Sequence, residues 1–92
     1  MMMGKLTRKR RAKCQFYAAM CYFQVADFKR AEKSLTLLVE KFTAEKDILD
    51  LNFQALAHTM RAQAYQTLNR YNKAIHDFNR AAELAREKIS ID

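Results

Sequence analysis

Six positions in the first half of the chain, Ala19, Tyr22, Phe28, Ala31, Leu35 and Leu38, recur in size and character 43 residues later as Ala62, Tyr65, Tyr71, Ala74, Phe78 and Ala81. A chain that repeats one pattern of small and bulky residues builds one supersecondary unit twice. Small side chains let backbones approach, and bulky ones fill the space between neighbours. The intervals inside each copy are mostly three and four residues, the period of a helix face rather than of a strand. With one glycine and no proline among 92 residues, the punctuation that β-hairpins and long loops require is nearly absent. The expected class is all-α, with two antiparallel helix hairpins stacked on each other.

Four apolar stripes place the helices. Cys14, Tyr17, Ala18, Cys21, Tyr22 and Val25 follow one helical face, which predicts a first helix from about Thr7 to Gln24. This face is expected to be the packing side, with Cys14 and Cys21 as reduced core thiols. Seven residues of helix separate the two cysteines by roughly 10 Å, too far for a disulfide. Asp27 is placed to cap a second helix, whose stripe is Phe28, Ala31, Leu35, Leu38 and Phe42. A polar turn is expected over Thr43–Asp47. Phe53, Ala57, Met60, Ala64 and Leu68 mark a third helix ending at Asn69, a residue that tolerates the left-handed backbone conformation. Tyr71, Ala74, Ile75, Phe78, Ala81, Ala82 and Ala85 mark the fourth. The predicted organisation is a basic N-terminal arm over 1–13, a helical domain over 14–88 and a short tail over 89–92. Hairpin one is expected over about 7–42, the start of its first helix overlapping the arm, and hairpin two over about 48–88.

The second copy reads Ala62-x-x-Tyr65-x-x-Leu68-Asn69-Arg70-Tyr71-x-x-Ala74-Ile75-x-x-Phe78-x-x-Ala81. This resembles the tetratricopeptide repeat family, with Asn69 in the place of the frequent turn glycine. The first copy follows the pattern more loosely, with Ala26 at the turn and Leu38 where alanine is usual. The spacing exceeds the family's usual repeat of about 34 residues, which implies an insertion between Phe42 and Phe53 or longer flanking helices. The resemblance implies a short, TPR-like α-solenoid. Two repeats are also fewer than the roughly three that make a stable stack, so self-association, a docked partner or a longer array is expected to cover an end face.

What the family resemblance implies about function is protein or peptide recognition, in a groove lined by the first helix of each hairpin. The corresponding positions are Lys13, Phe16, Met20, Phe23 and Gln24, then Leu56, Thr59, Gln63, Gln66 and Thr67. Phe16, Met20 and Phe23 are read as an apolar anchor, the competing reading being that they pack against the second hairpin or a second copy. Lys13, Gln63 and Gln66 are read as polar contacts to a ligand backbone. Phe16 and Met20 occupy two places where some family members carry the lysine and asparagine that clamp a C-terminal carboxylate, which argues against that ligand.

Charge divides the chain. Lys5, Arg8, Lys9, Arg10, Arg11 and Lys13 supply six of the seven net positive charges, before the first acid at Asp27. Such a cluster attracts polyanions over roughly a Debye length, about 8 Å at physiological salt. Arg8, Lys9, Arg10 and Arg11 are therefore candidate phosphate contacts, which makes nucleic-acid binding the rival function, or a nuclear-targeting signal. The body, close to neutral, is expected to act separately as an adaptor or assembly element, homo-oligomers included.

Catalysis has no sequence support. Neither His58 nor His76 has a nucleophile or carboxylate at a telling spacing, and no glycine-rich phosphate loop exists. His58 is expected to be a partly buried structural residue and His76 to face outwards. Two cysteines and two distant histidines give no zinc-ligand spacing, so neither metal nor cofactor is expected. The apolar runs are shorter than the roughly 20 residues of a membrane span, and the basic start lacks a signal-peptide cleavage site. The expected location is intracellular, cytoplasmic or nuclear.

Overall fold

The computed structural model describes residues 2–44 and 51–90. They form four helices: α1 over Met2–Gln24, α2 over Phe28–Ala44, α3 over Leu51–Thr67 and α4 over Tyr71–Ser90. Each helix packs on its neighbour in sequence, so α3 lies between α2 and α4. The all-α hairpin architecture expected from the repeat is the one observed. The expected turn at Thr43–Asp47 falls largely outside the described residues, since α2 continues to Ala44. The side chain of Phe42 lies outside them too.

The two hairpin turns are the same object built twice. After α1, the Asp27 amide donates to the Tyr22 carbonyl at 2.8 Å, and the Ala26 amide donates to the Phe23 carbonyl at 3.0 Å. After α3, Arg70 donates to Tyr65 at 2.8 Å and Asn69 donates to Gln66 at 3.1 Å. This paired 6→1 and 5→2 pattern is the Schellman cap, which needs a left-handed residue at its apex. Ala26 and Asn69 supply it, with φ of 61° and 63°. As expected, Asp27 then caps α2, its Oδ1 accepting from the Arg30 amide at 3.3 Å.

Ala19 and Ala31 are fully buried, as is Ala62, with Ala74 nearly so, which lets α1 meet α2 and α3 meet α4 at close range. The main core joins Ala12, Phe16 and Ala19 of α1 to Leu35 and Leu38 of α2 and Ala57 of α3, with Phe23, Val39, Phe53 and Met60 against it. The Phe16 and Phe53 rings meet edge to face at 5.3 Å, a geometry that aromatic quadrupoles favour.

Three expectations change here. α1 starts at Met2 rather than near Thr7, so the basic segment is helical, and Ala12 is in the core. The buried side of α1 is Ala12, Phe16, Ala19 and Phe23, opposite the stripe expected to pack; Cys14 and Cys21 are exposed, Tyr17 is 54% exposed and Val25 73%. On α4 the buried positions are Ala74, Asp77, Ala81 and Leu84, while Tyr71, Ile75 and Phe78 reach solvent. α1 carries apolar residues on both sides, so periodicity alone did not fix its phase.

Candidate functional site

The positions assigned to a binding groove divide by burial. On α1, Lys13, Met20 and Gln24 share one exposed line, Met20 being 41% exposed. On α3, Leu56, Gln63, Gln66 and Thr67 are exposed. Phe16 is only 3% exposed and belongs to the core, and half-buried Phe23 stacks edge to face on Phe28 at 5.3 Å. Phe16 is thus a packing residue, the competing reading of the sequence, and not a surface anchor. Two groove positions are already engaged: the Thr59 hydroxyl donates to the Ala55 carbonyl at 2.9 Å and Thr67 to Gln63 at 3.0 Å. Lys13 Nζ sits 5.4 Å from the Phe53 ring centroid, a cation–π contact that holds its charge at the edge of the core. On this face the exposed groups are the Gln63 and Gln66 amides, with Met20 and Leu56 as exposed apolar side chains.

Beneath the α3 side of that surface lies a polar network that sequence spacing did not reveal. Asp77 of α4 is fully buried. Its carboxylate receives Arg61 Nε on Oδ2 and Arg61 Nη2 on Oδ1, each at 2.7 Å, a bidentate fork. His58 Nδ1 lies 3.0 Å from Oδ1. A carboxylate only accepts, so this nitrogen carries the proton. Arg61 Nη1 also donates to the Thr36 hydroxyl at 3.3 Å, and Tyr65 donates to Glu32 at 3.4 Å. Three helices are therefore tied through one arginine. Among the described residues, no buried side-chain nitrogen or oxygen lacks a partner.

Burial alone would push the Asp77 carboxyl up, but hydrogen bonds from Arg61 and His58, with their charge, outweigh it and hold the group below its ordinary range. Burial likewise opposes the Arg61 charge, and Asp77 overcomes that, raising Arg61 above its usual value. The expectation that neither histidine has a carboxylate partner is corrected for His58, whose partner is on the next helix. His58 is nonetheless the buried structural residue foreseen, and His76 is exposed. A signal existed: Arg61 falls between Ala57 and Ala64, and Asp77 between Ala74 and Ala81, on buried phases where a lone charge must find an opposite one.

Arg8, Lys9, Arg10 and Arg11 are exposed on the first turns of α1. Four consecutive helical residues, about 100° apart, point in all directions rather than forming one stripe. Among the described residues, no group of three His, Cys, Asp or Glu is placed to hold a metal, and no helix is long and apolar enough to cross a membrane.

Comparison with known proteins agrees with the geometry of the second hairpin. Residues 55–88 match the family model of the tetratricopeptide repeat. No curated protein and no solved structure gives a match. The matched segment takes in most of α3 and nearly all of α4, including the Asn69 turn and the closely packed Ala62 and Ala74. Over residues 55–88 the second hairpin is therefore similar to a tetratricopeptide repeat.

Proposed function

We propose that this chain is a non-catalytic adaptor that binds an extended peptide or a helix of another protein across the exposed first-helix faces. A tetratricopeptide repeat speaks in general for protein–protein interaction, and the match over residues 55–88 is the observation that carries the reading. The contacts assigned to the ligand are Gln63 and Gln66 for its backbone, Lys13 for an acidic or carbonyl group, and Met20 for an apolar side chain. Phe23, assigned to the same apolar anchor, is half-buried against Phe28. Phe16 acts from beneath by fixing α1 against Phe53. The buried Arg61–Asp77 fork holds α3 on α4, so that Gln63 and Gln66 are presented by a stiff element.

A rival reading rests on the exposed Arg8, Lys9, Arg10 and Arg11, which would bind nucleic acid through phosphates. Removing residues 1–13 is a poor test, because Ala12 lies in the core. Neutralising the four cations to glutamine keeps the helix. Copurification of both forms, with and without nuclease, separates the readings: proteins retained by both forms after nuclease support the adaptor. Recovery only of nuclease-sensitive nucleic acid, lost with the four cations, replaces it.

A further inference from the structure

The internal repeat contains a mating rule that the chain satisfies only once within itself. Shifting α1 and its following turn by 43 residues lays Cys14, Tyr17, Ala18, Cys21 and Val25 onto Ala57, Met60, Arg61, Ala64 and Leu68 of α3 and its turn. Ala57 and Ala64 are buried and the other three partly so, and Ala57 shares a core with Leu35 and Leu38 of α2. The matching shift lays Glu32, Leu35, Thr36 and Val39 of α2 onto Ile75, Phe78, Asn79 and Ala82 of α4. Leu35 and Val39 belong to the core that Ala57 and Met60 complete, and Thr36 bonds Arg61. The α2–α3 joint is thus one complete interface. The outer faces of α1 and α4 repeat its two halves, and both are open: Tyr17 is 54% exposed, Val25 73%, Ile75 57% and Phe78 38%.

We propose that these two faces mate between copies, the outer face of α1 docking on the outer face of α4 of a second copy, head to tail. The two halves differ from the internal joint in a correlated way. Inside the chain, Arg61 faces Thr36, and Tyr65 reaches Glu32. On the open faces Ala18 stands for Arg61, and Ile75 stands for Glu32. The cation and the acid of the internal joint are both replaced by apolar groups on these faces. Cys14 stands for Ala57 and Cys21 for Ala64, small for small, and Tyr17 stands for Met60 and Phe78 for Leu35, bulky for bulky, while Ala82 is smaller than Val39. Antiparallel docking in the manner of α2 on α3 also brings the cationic first turns of α1 towards the C-terminal end of α4. There, Glu87 is exposed beside an exposed Arg86.

A head-to-tail contact uses different surfaces on the two copies, so it propagates instead of stopping at two unless the rotation closes a ring. The test is mass measurement by light scattering of the full chain over a concentration series, with Tyr17→Arg, Ile75→Arg and a mixture of the two. Circular dichroism checks that each is folded. Wild type is expected to grow beyond a dimer with concentration, and each variant alone to return to the single-chain mass of 10.8 kDa. The mixture is expected to stop at a dimer, because one intact α1 face meets one intact α4 face. Maleimide labelling of Cys14 and Cys21 should be about tenfold slower in assembled wild type than in Ile75→Arg. A wild type that stays monomeric overturns the proposal. So does a dimer that survives Ile75→Arg, which would be an α1–α1 pairing. A monomer that loses a different protein partner through Tyr17→Arg also overturns it, and assigns the face to that partner.

Discussion

Ala26 and Asn69 hold the same left-handed turn, yet only Asn69 belongs to a residue type that visits it readily. The apex Ala26 therefore stores backbone strain in the first hairpin. Ala26→Gly is expected to raise stability by about 0.5–1 kcal/mol, read by urea unfolding, with Asn69→Gly gaining less. Both turns were legible as breaks in periodicity, and the asparagine named its own conformation. Arg61 and Asp77 each stood out as a charge on a buried phase, but their pairing with each other and with His58 was not legible, because the members come from two helices and no local rule pairs positions 16 and 19 apart. Breaking it has a calculable consequence. Asp77→Asn removes one partner of a buried ion pair and should cost about 3 kcal/mol near neutral pH. The Asp77 carboxyl is held below its usual 3.8 in the fold, so the stability it contributes is full above that value and is lost as pH falls through the lowered one. Denaturant midpoints of wild type and Asp77→Asn should therefore converge as pH drops below 3.8; midpoints that stay equally far apart would mean the charge is not what stabilises.

At the scale of elements, α2 and α3 behaved as their stripes predicted, and α1 did not. α2 alternates buried Ala31, Leu35 and Leu38 with exposed Lys29, Lys33 and Leu37, so its phase is unambiguous. α1 places Phe16 and Phe23 on one side and Tyr17, Cys21 and Val25 on the other, and hydrophobicity cannot rank two apolar sides. Knowing that α2 packs on Ala12, Phe16 and Ala19 resolves it. The correction is measurable on one helix. Phe16→Ala should lower stability by about 3–5 kcal/mol through a core cavity. Met20→Ala, at a 41% exposed site, should change stability by under about 1 kcal/mol while weakening partner binding. Equal stability losses in the two variants would place Met20 in the core as well. α4 shows a milder version of the same effect: Ala74 and Ala81 were recognised as packing residues, whereas Leu84, now buried, was not.

For the whole molecule, the repeated pattern was enough to give four helices, their pairing and the family resemblance of the second hairpin, because small residues at fixed intervals encode close helix approach directly. The interaction surface was less legible, since exposure depends on which neighbours are present, and sequence spacing treats a face turned to solvent and one turned to another helix alike. Lys13, Met20, Gln63 and Gln66 remain at the surface after folding, and their role as a ligand platform is the central claim. It is tested most directly by placing a photocrosslinking residue at Gln63 or Gln66, with outward-facing His76 as control, and irradiating in cells after nuclease-resistant recovery is established. Discrete protein adducts are expected from Gln63 and Gln66, differing in mass from a second copy of this chain, reduced by Met20→Ala and absent from His76. Adducts of equal yield at all three positions, or to nucleic acid alone, would contradict it.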